Sequence, residues 1–230
     1  MFNNLISIST FSNILSLLNA IVTVFFVYKY KQTNDVSWLK YISIIIIIYS
    51  LFDLGLDAYF QIDNDKLQFI IHHLISIFLA GWTIVNSFGL NLYPEMVYSI
   101  LVTESSTIFL NSNKLIKKYF ESTPNSAPTT FRSILKNVSN LNYVFFTAVF
   151  VYFRNYKIFK DGLFNLDFYS ILLTPRDDIY HYLNRIIVLL VFALSFLNIY
   201  WLFIILKGVY KKLLSFFKSK SSTGNEKENK

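Results

Sequence analysis

Residues Tyr41–Phe52 read YISIIIIIYSLF, and this run without a charged side chain decides the fold class. Its isoleucines are consecutive, whereas the strands of a transmembrane β-barrel alternate apolar and polar residues. The run lies within a mostly apolar stretch over about 38–60. Because roughly 20 such residues suffice for a helix to cross a bilayer, the stretch predicts a transmembrane α-helix.

The rest of the chain repeats this pattern. Of its 230 residues, 54% are hydrophobic and only 15% are charged, against about 25% charged in soluble domains. We therefore expect an all-α, polytopic membrane protein with about six transmembrane helices. The predicted spans cover about residues 5–28, 38–60, 67–88, 92–111, 141–156 and 183–206.

Two connections are long. Residues 113–140 are predicted to form a polar loop, with Pro124 and Pro128 breaking any helix, and residues 157–182 to form an amphipathic segment at the membrane interface. We divide the chain into an N-terminal helix and loop (1–37), a core domain (38–210) and a disordered basic tail (211–230).

Lysine distribution gives the orientation. Six spans place both termini on one side, together with the basic loop and tail, and the positive-inside rule makes that side cytosolic. Lys29, Lys31 and Lys40 fall on the opposite side and argue against this orientation. No base-reading motif accompanies the basic residues, so we expect no nucleic-acid partner.

Two adjacent histidines lie in the third span, FIIHHLISIFLAGW (69–82). Ionisable groups inside a membrane are costly and must face protein or water. His72 and His73 point about 100° apart on a helix, so only one of them is expected to face a cavity directly. Ser76 shares the face of His73, which favours His73. An interfacial pair of histidines is the equal alternative.

Carboxylates occur in the second and fourth spans. Asp53 and Asp57 lie four residues apart on one helical face. A buried role is predicted for Asp53, while Asp57 could instead meet interfacial water. Glu104, Thr107 and Asn111 form one polar stripe by their helical spacing. We expect Glu104 or Asp53 to hold His73 in place.

Other polar residues have simpler interpretations. In the first span, regularly spaced small polar residues predict a helix-packing surface: Ser9, Ser12, Ser16, Asn19 and Thr23. Arg154 ends the fifth span and would either reach back to the interface or pair with a carboxylate or an anionic headgroup. The sixth span carries Asn198, Trp201 and Lys207.

Residue counts exclude several chemistries. The chain has no cysteine and only three histidines, with no H-x-x-x-H pair, so thiol chemistry and histidine-rich di-iron sites are excluded and no metal site is predicted. No phosphate-cradling glycine loop appears. Two options remain: metal-free proton or acyl chemistry by histidine with a carboxylate, or lipid binding without catalysis.

The ordered set HHLISI (72–77), ESSTIFLN (104–111), VYFR (151–154) and LNIYWLFIILKG (197–208) resembles the TLC-domain family. This family includes ceramide synthases and smaller TLC-domain proteins. His72 and His73 match its paired histidines, and Glu104 its acidic position. The chain lacks the second carboxylate of ceramide synthases and is nearer the small members, whose motif often reads E-x-S-T-P-F-x-N; here Ile108 replaces the proline.

The resemblance implies a bundle around a central cavity, in an endoplasmic-reticulum membrane, that binds a lipid or acyl chain in lipid homeostasis. The alternative is a ceramide-synthase-like acyltransferase, with acyl-CoA as co-substrate, a sphingoid base as acceptor and no bound cofactor. Its catalytic candidates would be His72, His73, Glu104 and Asp53. The candidate substrate-binding residues are Asp57, Ser76, Thr107, Asn111, Arg154, Asn198, Trp201 and Lys207. A transporter is disfavoured, because no inverted repeat or Gly/Pro-broken span appears.

Overall fold

The computed structural model describes residues 2–60, 66–85, 94–122, 128–165 and 179–225. Within these ranges the chain forms helices and short connections, without a strand. The helices are α1 (Phe2–Thr33), α2 (Ser37–Phe60), α3 (Lys66–Val85), α4 (Pro94–Leu101), α5 (Glu104–Ser122), α6 (Thr129–Val149), the π-helical segments Phe150–Lys157 and Phe159–Leu163, and α7 (Ile179–Asn225).

Five stretches in the described residues are long and apolar enough to cross a membrane: Ile8–Thr33, Ser37–Phe60, Leu67–Val85, Thr129–Asp161 and Arg185–Lys211. Helices α4 and α5 follow one another and supply the sixth element of the bundle. The prediction of an all-α polytopic membrane protein is confirmed.

The predicted continuous helix over 92–111 is wrong in one respect, because it breaks at Val102 and Thr103. The Thr103 hydroxyl donates to the Ile100 carbonyl at 2.6 Å, and the Ser106 hydroxyl donates to the Thr103 carbonyl at 2.9 Å. Such side-chain bonds compete with the backbone ladder of a helix. The break separates α4 from α5 and leaves Glu104 at the start of α5.

The predicted loop over 113–140 is also wrong. Helix α5 continues to Ser122 and α6 begins at Thr129, directly after Pro128, whose fixed φ suits a helix start. Pro124 lies outside the described residues. The fifth span is therefore longer than the predicted 141–156. Of the predicted interfacial segment, 157–163 continues this helix with π-helical geometry, and 166–178 lies outside the described residues.

The tail differs from its prediction as well. Disorder was expected from Lys211, but the backbone of α7 is helical up to Asn225. No proline interrupts KKLLSFFKSKSSTGN (211–225), and its first part mixes apolar residues with lysine, which helices tolerate well. Residues 226–230 lie outside the described part.

The helices form a ring. Helix α1 packs between α2 and α5, and α3 packs against α2 and α7. The first π-helical segment, Phe150–Lys157, which we call the π-helical segment from here on, follows α6 and packs against α7. One end, which we call the packed end, holds the main apolar core where α1 finishes and α2, α4 and α7 begin. Its most buried side chains are Val27, Tyr30, Leu39, Ile42, Met96, Ile187 and Val191. We call the opposite end the open end.

One ion pair and two cation–π contacts connect the short helix α4 to its neighbours at the packed end. Glu95 lies in the first turn of α4, where a negative charge complements the helix dipole, and it pairs with Lys31 on α1 at 2.7 Å. Tyr98 lies between two ammonium groups, with Lys31 4.4 Å and Lys157 4.7 Å from its ring centre. These contacts hold α4 between α1 and the π-helical segment.

Large apolar side chains cover the outside of the ring, as expected for a surface in contact with lipid. More than half exposed are Leu18, Ile48, Leu51, Phe78, Val144, Leu189, Phe196 and Phe203.

The helix order gives a topology prediction. An epitope inserted at residue 125 and one at the C-terminus are separated by two crossings, α6 with its π-helical extension and α7. Both tags should be reached on the same, cytosolic side, because the excess of lysine lies there. Antibody access in selectively permeabilised cells measures this, and tags on opposite sides would contradict the six-pass arrangement.

Candidate functional site

A cavity of about 830 Å³ lies inside the ring. Its wall is built by α1, α2, α3, α4, α5, α6, α7 and the π-helical segment. Most of the wall's surface is apolar, and its polar side chains include two clusters that each surround a buried charged group. The volume falls within the roughly 300–1,000 Å³ typical of ligand pockets.

The first cluster surrounds Asp53. His73 Nε2 lies 3.5 Å from Asp53 Oδ2, and the two residues are only 5% and 4% exposed. The Tyr49 hydroxyl donates to Oδ2 and the Ser12 hydroxyl donates to Oδ1, each at 3.0 Å. The carboxylate is thereby held by three helices. Of the two carboxylates expected to hold His73, the structure places Asp53 beside it.

His72 also lines the cavity, although only one of the two histidines was expected to face it directly. Its ring packs edge-on against Trp201 of α7, with the ring centres 5.3 Å apart. The Trp201 indole N–H donates to Gln68 Oε1 at 3.2 Å, which fixes the tryptophan against α3. The cavity therefore borders both of the α3 faces that carry the histidines, and neither histidine faces the lipid.

The second cluster surrounds Arg154. Its Nε donates to Ser106 Oγ at 2.7 Å, and its Nη2 donates to Thr107 Oγ1 at 3.0 Å. Glu104 Oε1 lies 3.5 Å from Nη2. The guanidinium also lies 5.5 Å from the centre of the Trp201 ring. Arg154 therefore does not reach back to the interface; it is 5% exposed and pairs with a carboxylate inside the bundle.

The backbone around Arg154 is π-helical over Phe150–Lys157. A π-helix is wider than an α-helix and is found frequently at functional sites. A sequence pattern with a period of 3.6 residues does not reveal this geometry.

The small polar residues of α1 also belong to the site, although they were assigned to helix packing. Ser9, Ser12, Ser16 and Asn19 line the cavity. Asn111 of α5 donates to Ser16 at 2.7 Å, and Lys118 donates to Ser9 at 3.1 Å. Their regular spacing is visible in the sequence. It could not show whether the stripe of small polar residues packs against a helix or lines a cavity, because both roles require the same spacing.

The remaining predicted residues divide into two groups. Asp57, Ser76, Thr107 and Asn111 line the cavity, and Asp57 is 6% exposed rather than facing interfacial water. Two residues do not line it: Asn198 is fully buried in the bundle and Lys207 is exposed on the outside. Tyr49, Ser106 and Gln68 were missed, because uncharged polar residues in an apolar span give little signal.

Several cavity residues have buried polar atoms without a hydrogen-bond partner in the described part of the chain. These atoms are Nδ1 of His72, Nδ1 of His73 and Oδ1 of Asn19. Buried polar atoms are nearly always satisfied in native proteins, so each orphan needs an explanation. Among the described residues, no group of three histidine or carboxylate side chains could hold a metal ion.

These features define a class: a multi-pass helical membrane protein with a polar centre enclosed in its bundle. The family model described as the TLC domain matches residues 5–207, which is most of the chain, and the protein belongs to that family. It is thus an integral membrane protein of a family linked to lipid biology. Comparisons with curated proteins and with solved structures gave no significant match.

The pair of Arg154 and Glu104 gives an asymmetric stability prediction. Glu104→Gln leaves a buried guanidinium that cannot lose its proton, so we expect a loss of about 2 kcal/mol, somewhat below the roughly 3–5 kcal/mol of fully buried pairs. Arg154→Met should cost less, because a lone carboxyl can become neutral by taking up a proton.

Thermal unfolding in detergent measures both variants, with Glu121→Gln, on the exposed end of α5, as the control. Adding Arg154→Met to Glu104→Gln should restore most of the lost stability. Equal losses in both single variants, with no recovery in the double variant, would contradict a charge pair.

Proposed function

We propose that the protein binds a membrane lipid or acyl chain in its central cavity and serves lipid homeostasis. The polar group of the ligand lies at the clusters around Asp53 and Arg154, and its chain lies along the apolar wall. The observation that carries this proposal is that both histidines line one cavity inside the bundle, and each has a buried Nδ1 without a hydrogen-bond partner among the described residues.

The arrangement of charge supports this proposal. A carboxylate and a guanidinium buried in a bundle are costly unless they are paired. Here Asp53 has three neighbours and Arg154 has three, so the polar centre is held in place before any ligand arrives. Such preorganisation reduces the entropy lost on binding.

A second candidate function is N-acyl transfer of the ceramide-synthase type, and the pair of His73 with Asp53 favours it. The amine nitrogen of a sphingoid base would attack the thioester carbonyl of acyl-CoA. The C–N bond forms, the C–S bond breaks, and the amine proton passes through His73 to the departing thiolate. Asp53 would orient His73 and stabilise its charged form, as carboxylates do in histidine-based catalysis.

We also propose the endoplasmic reticulum as the location of the protein and membrane lipids as its partners. Both proposals rest on the family. A sphingoid base or a fatty acyl chain is the ligand most compatible with a cavity that combines two polar clusters with a largely apolar wall.

The test is native mass spectrometry of the full chain purified from membranes. The wild-type protein should retain lipid. His73→Ala should reduce the retained fraction by about tenfold, the effect of one hydrogen bond to a charged group at about 1.5 kcal/mol. Leu74→Ala is the matched control, because this adjacent residue of α3 faces outward with 45% exposure.

The same spectra separate the two functions. A covalent acyl adduct, or amide formation from added acyl-CoA and sphingoid base that His73→Ala abolishes, supports acyl transfer. Retained lipid without turnover supports binding alone. If His72→Ala and His73→Ala both leave lipid binding and any turnover unchanged, the histidines are structural and both functions lose their basis.

A further inference from the structure

A second, smaller cavity lies between α5 and α6 at the open end. Its volume is about 310 Å³, at the lower end of the range typical of ligand pockets. Partly buried apolar side chains form its floor: Ile116, Phe120 and Leu135. We call this cavity the α5–α6 groove. It shares no lining residue with the central cavity, so a ligand in it would occupy a separate site.

Positive charge surrounds this floor. The exposed side chains of Lys117 and Lys136 line the α5–α6 groove from its two helices. A third cation lies beside it, because the Arg132 guanidinium is 5.9 Å from the centre of the Phe120 ring. Among the described residues, neither lysine forms an ion pair with a carboxylate, and Glu121, the carboxylate nearest to Lys117 in sequence, is exposed at the end of α5.

A hydrogen bond between the helices fixes the relative height of the two lysines. The Ser139 hydroxyl donates to Asn113 Oδ1 at 2.7 Å. Lys117 lies four residues after Asn113 on α5, and Lys136 lies three residues before Ser139 on α6. Because the two helices run antiparallel and each residue rises 1.5 Å, the lysines start within about 2 Å of the same height. Two like charges in one groove repel each other, and an anion between them would remove this repulsion.

The lysines lie at the depth of lipid headgroups. The uncharged run LNYVFFTAVFVYF (141–153) begins five residues after Lys136, about 7–8 Å further along α6. The headgroup region is roughly 5–7 Å thick on each side of the hydrocarbon core, so the ammonium groups fall within it. An exposed apolar stripe on α6 leads from this depth into the run and offers a surface for acyl chains: Ile134, Val138, Leu141 and Phe145.

We propose that the α5–α6 groove binds the phosphate headgroup of an anionic membrane lipid, held between Lys117 and Lys136, with the acyl chains along the outside of α6. Basic pockets between transmembrane helices on the cytosolic side bind such headgroups, and the open end is the side predicted to be cytosolic. A lipid is favoured over a soluble phosphate, because the charges adjoin an apolar floor and an exposed apolar stripe. This site is independent of the function proposed for the central cavity.

Two double variants separate the charge of the lysines from their bulk. Lys117→Gln with Lys136→Gln removes both ammonium groups. Lys117→Arg with Lys136→Arg keeps both charges and supplies donors that suit phosphate. Lys211→Gln is the matched control, because this exposed lysine lies on α7 at the same end and lines neither cavity. All these positions are exposed, so the substitutions should leave the fold intact.

The measured quantity is the apparent binding constant of the full chain for added dioleoyl phosphatidylserine and dioleoyl phosphatidylcholine, titrated by native mass spectrometry from detergent micelles. The two probes share their acyl chains and differ in net charge. The wild-type protein should bind phosphatidylserine more tightly. Since each lysine near a membrane surface contributes about fivefold to the binding of anionic lipid, the double glutamine variant should bind it about 25-fold more weakly. The double arginine variant and Lys211→Gln should bind it like the wild type.

Equal binding of both lipids by the wild type would overturn the proposal, and so would tight phosphatidylserine binding that survives in the double glutamine variant. An equal loss in Lys211→Gln would assign the effect to the general positive charge of this end and would likewise overturn it.

Two further results would replace the lipid by another occupant and thereby overturn the proposal. Displacement of phosphatidylserine by millimolar inorganic phosphate, at constant ionic strength, would assign the groove to a soluble anion. A dimer that the double glutamine variant disrupts would assign it to a second copy of the chain. None of these results bears on the central cavity, which the His73→Ala measurement tests separately.

Discussion

A guanidinium inside a membrane bundle is the constraint on which much of this structure depends. Arg154 cannot lose its proton, so the fold must supply acceptors for it away from lipid. Ser106, Thr107 and Glu104 supply them from the start of α5, and Trp201 supplies an aromatic face from α7. The break before Glu104 and the π-helical backbone around Arg154 bring these groups together. The irregular parts of two spans thus supply the contacts of one buried charge.

Asp53 is the second buried charge, on the other side of the cavity, and it too is held by polar contacts from neighbouring helices. It joins α1, α2 and α3 through Ser12 and His73, while the bundle closes by apolar packing at the packed end. Polar contacts join the helices at the middle of the ring, and packing of apolar side chains joins them at the packed end. The space between the helices is left as the cavity.

The sequence predicted which charged residues line the cavity better than it predicted where the helices begin and end. His73, Asp53 and Glu104 stand out because charge is rare in apolar spans, and all three line the cavity. Asn198 and Lys207 were selected by the same rule, yet one is buried elsewhere and the other faces outward. Polarity marks a residue as constrained, but it does not say which neighbour satisfies it.

Hydropathy by itself determined that the chain is an all-α membrane protein, because uninterrupted apolar runs leave the backbone no partner in lipid except its own helix. Motif order by itself indicated the family. Tertiary structure decided which polar residues meet, since helix neighbours depend on packing between segments distant in sequence. It also decided where helices break, as at Val102 and Thr103, because local hydroxyl bonds and distant partners act together there. The cavity is likewise a property of the assembled ring, since residues of several helices distant in sequence line it together.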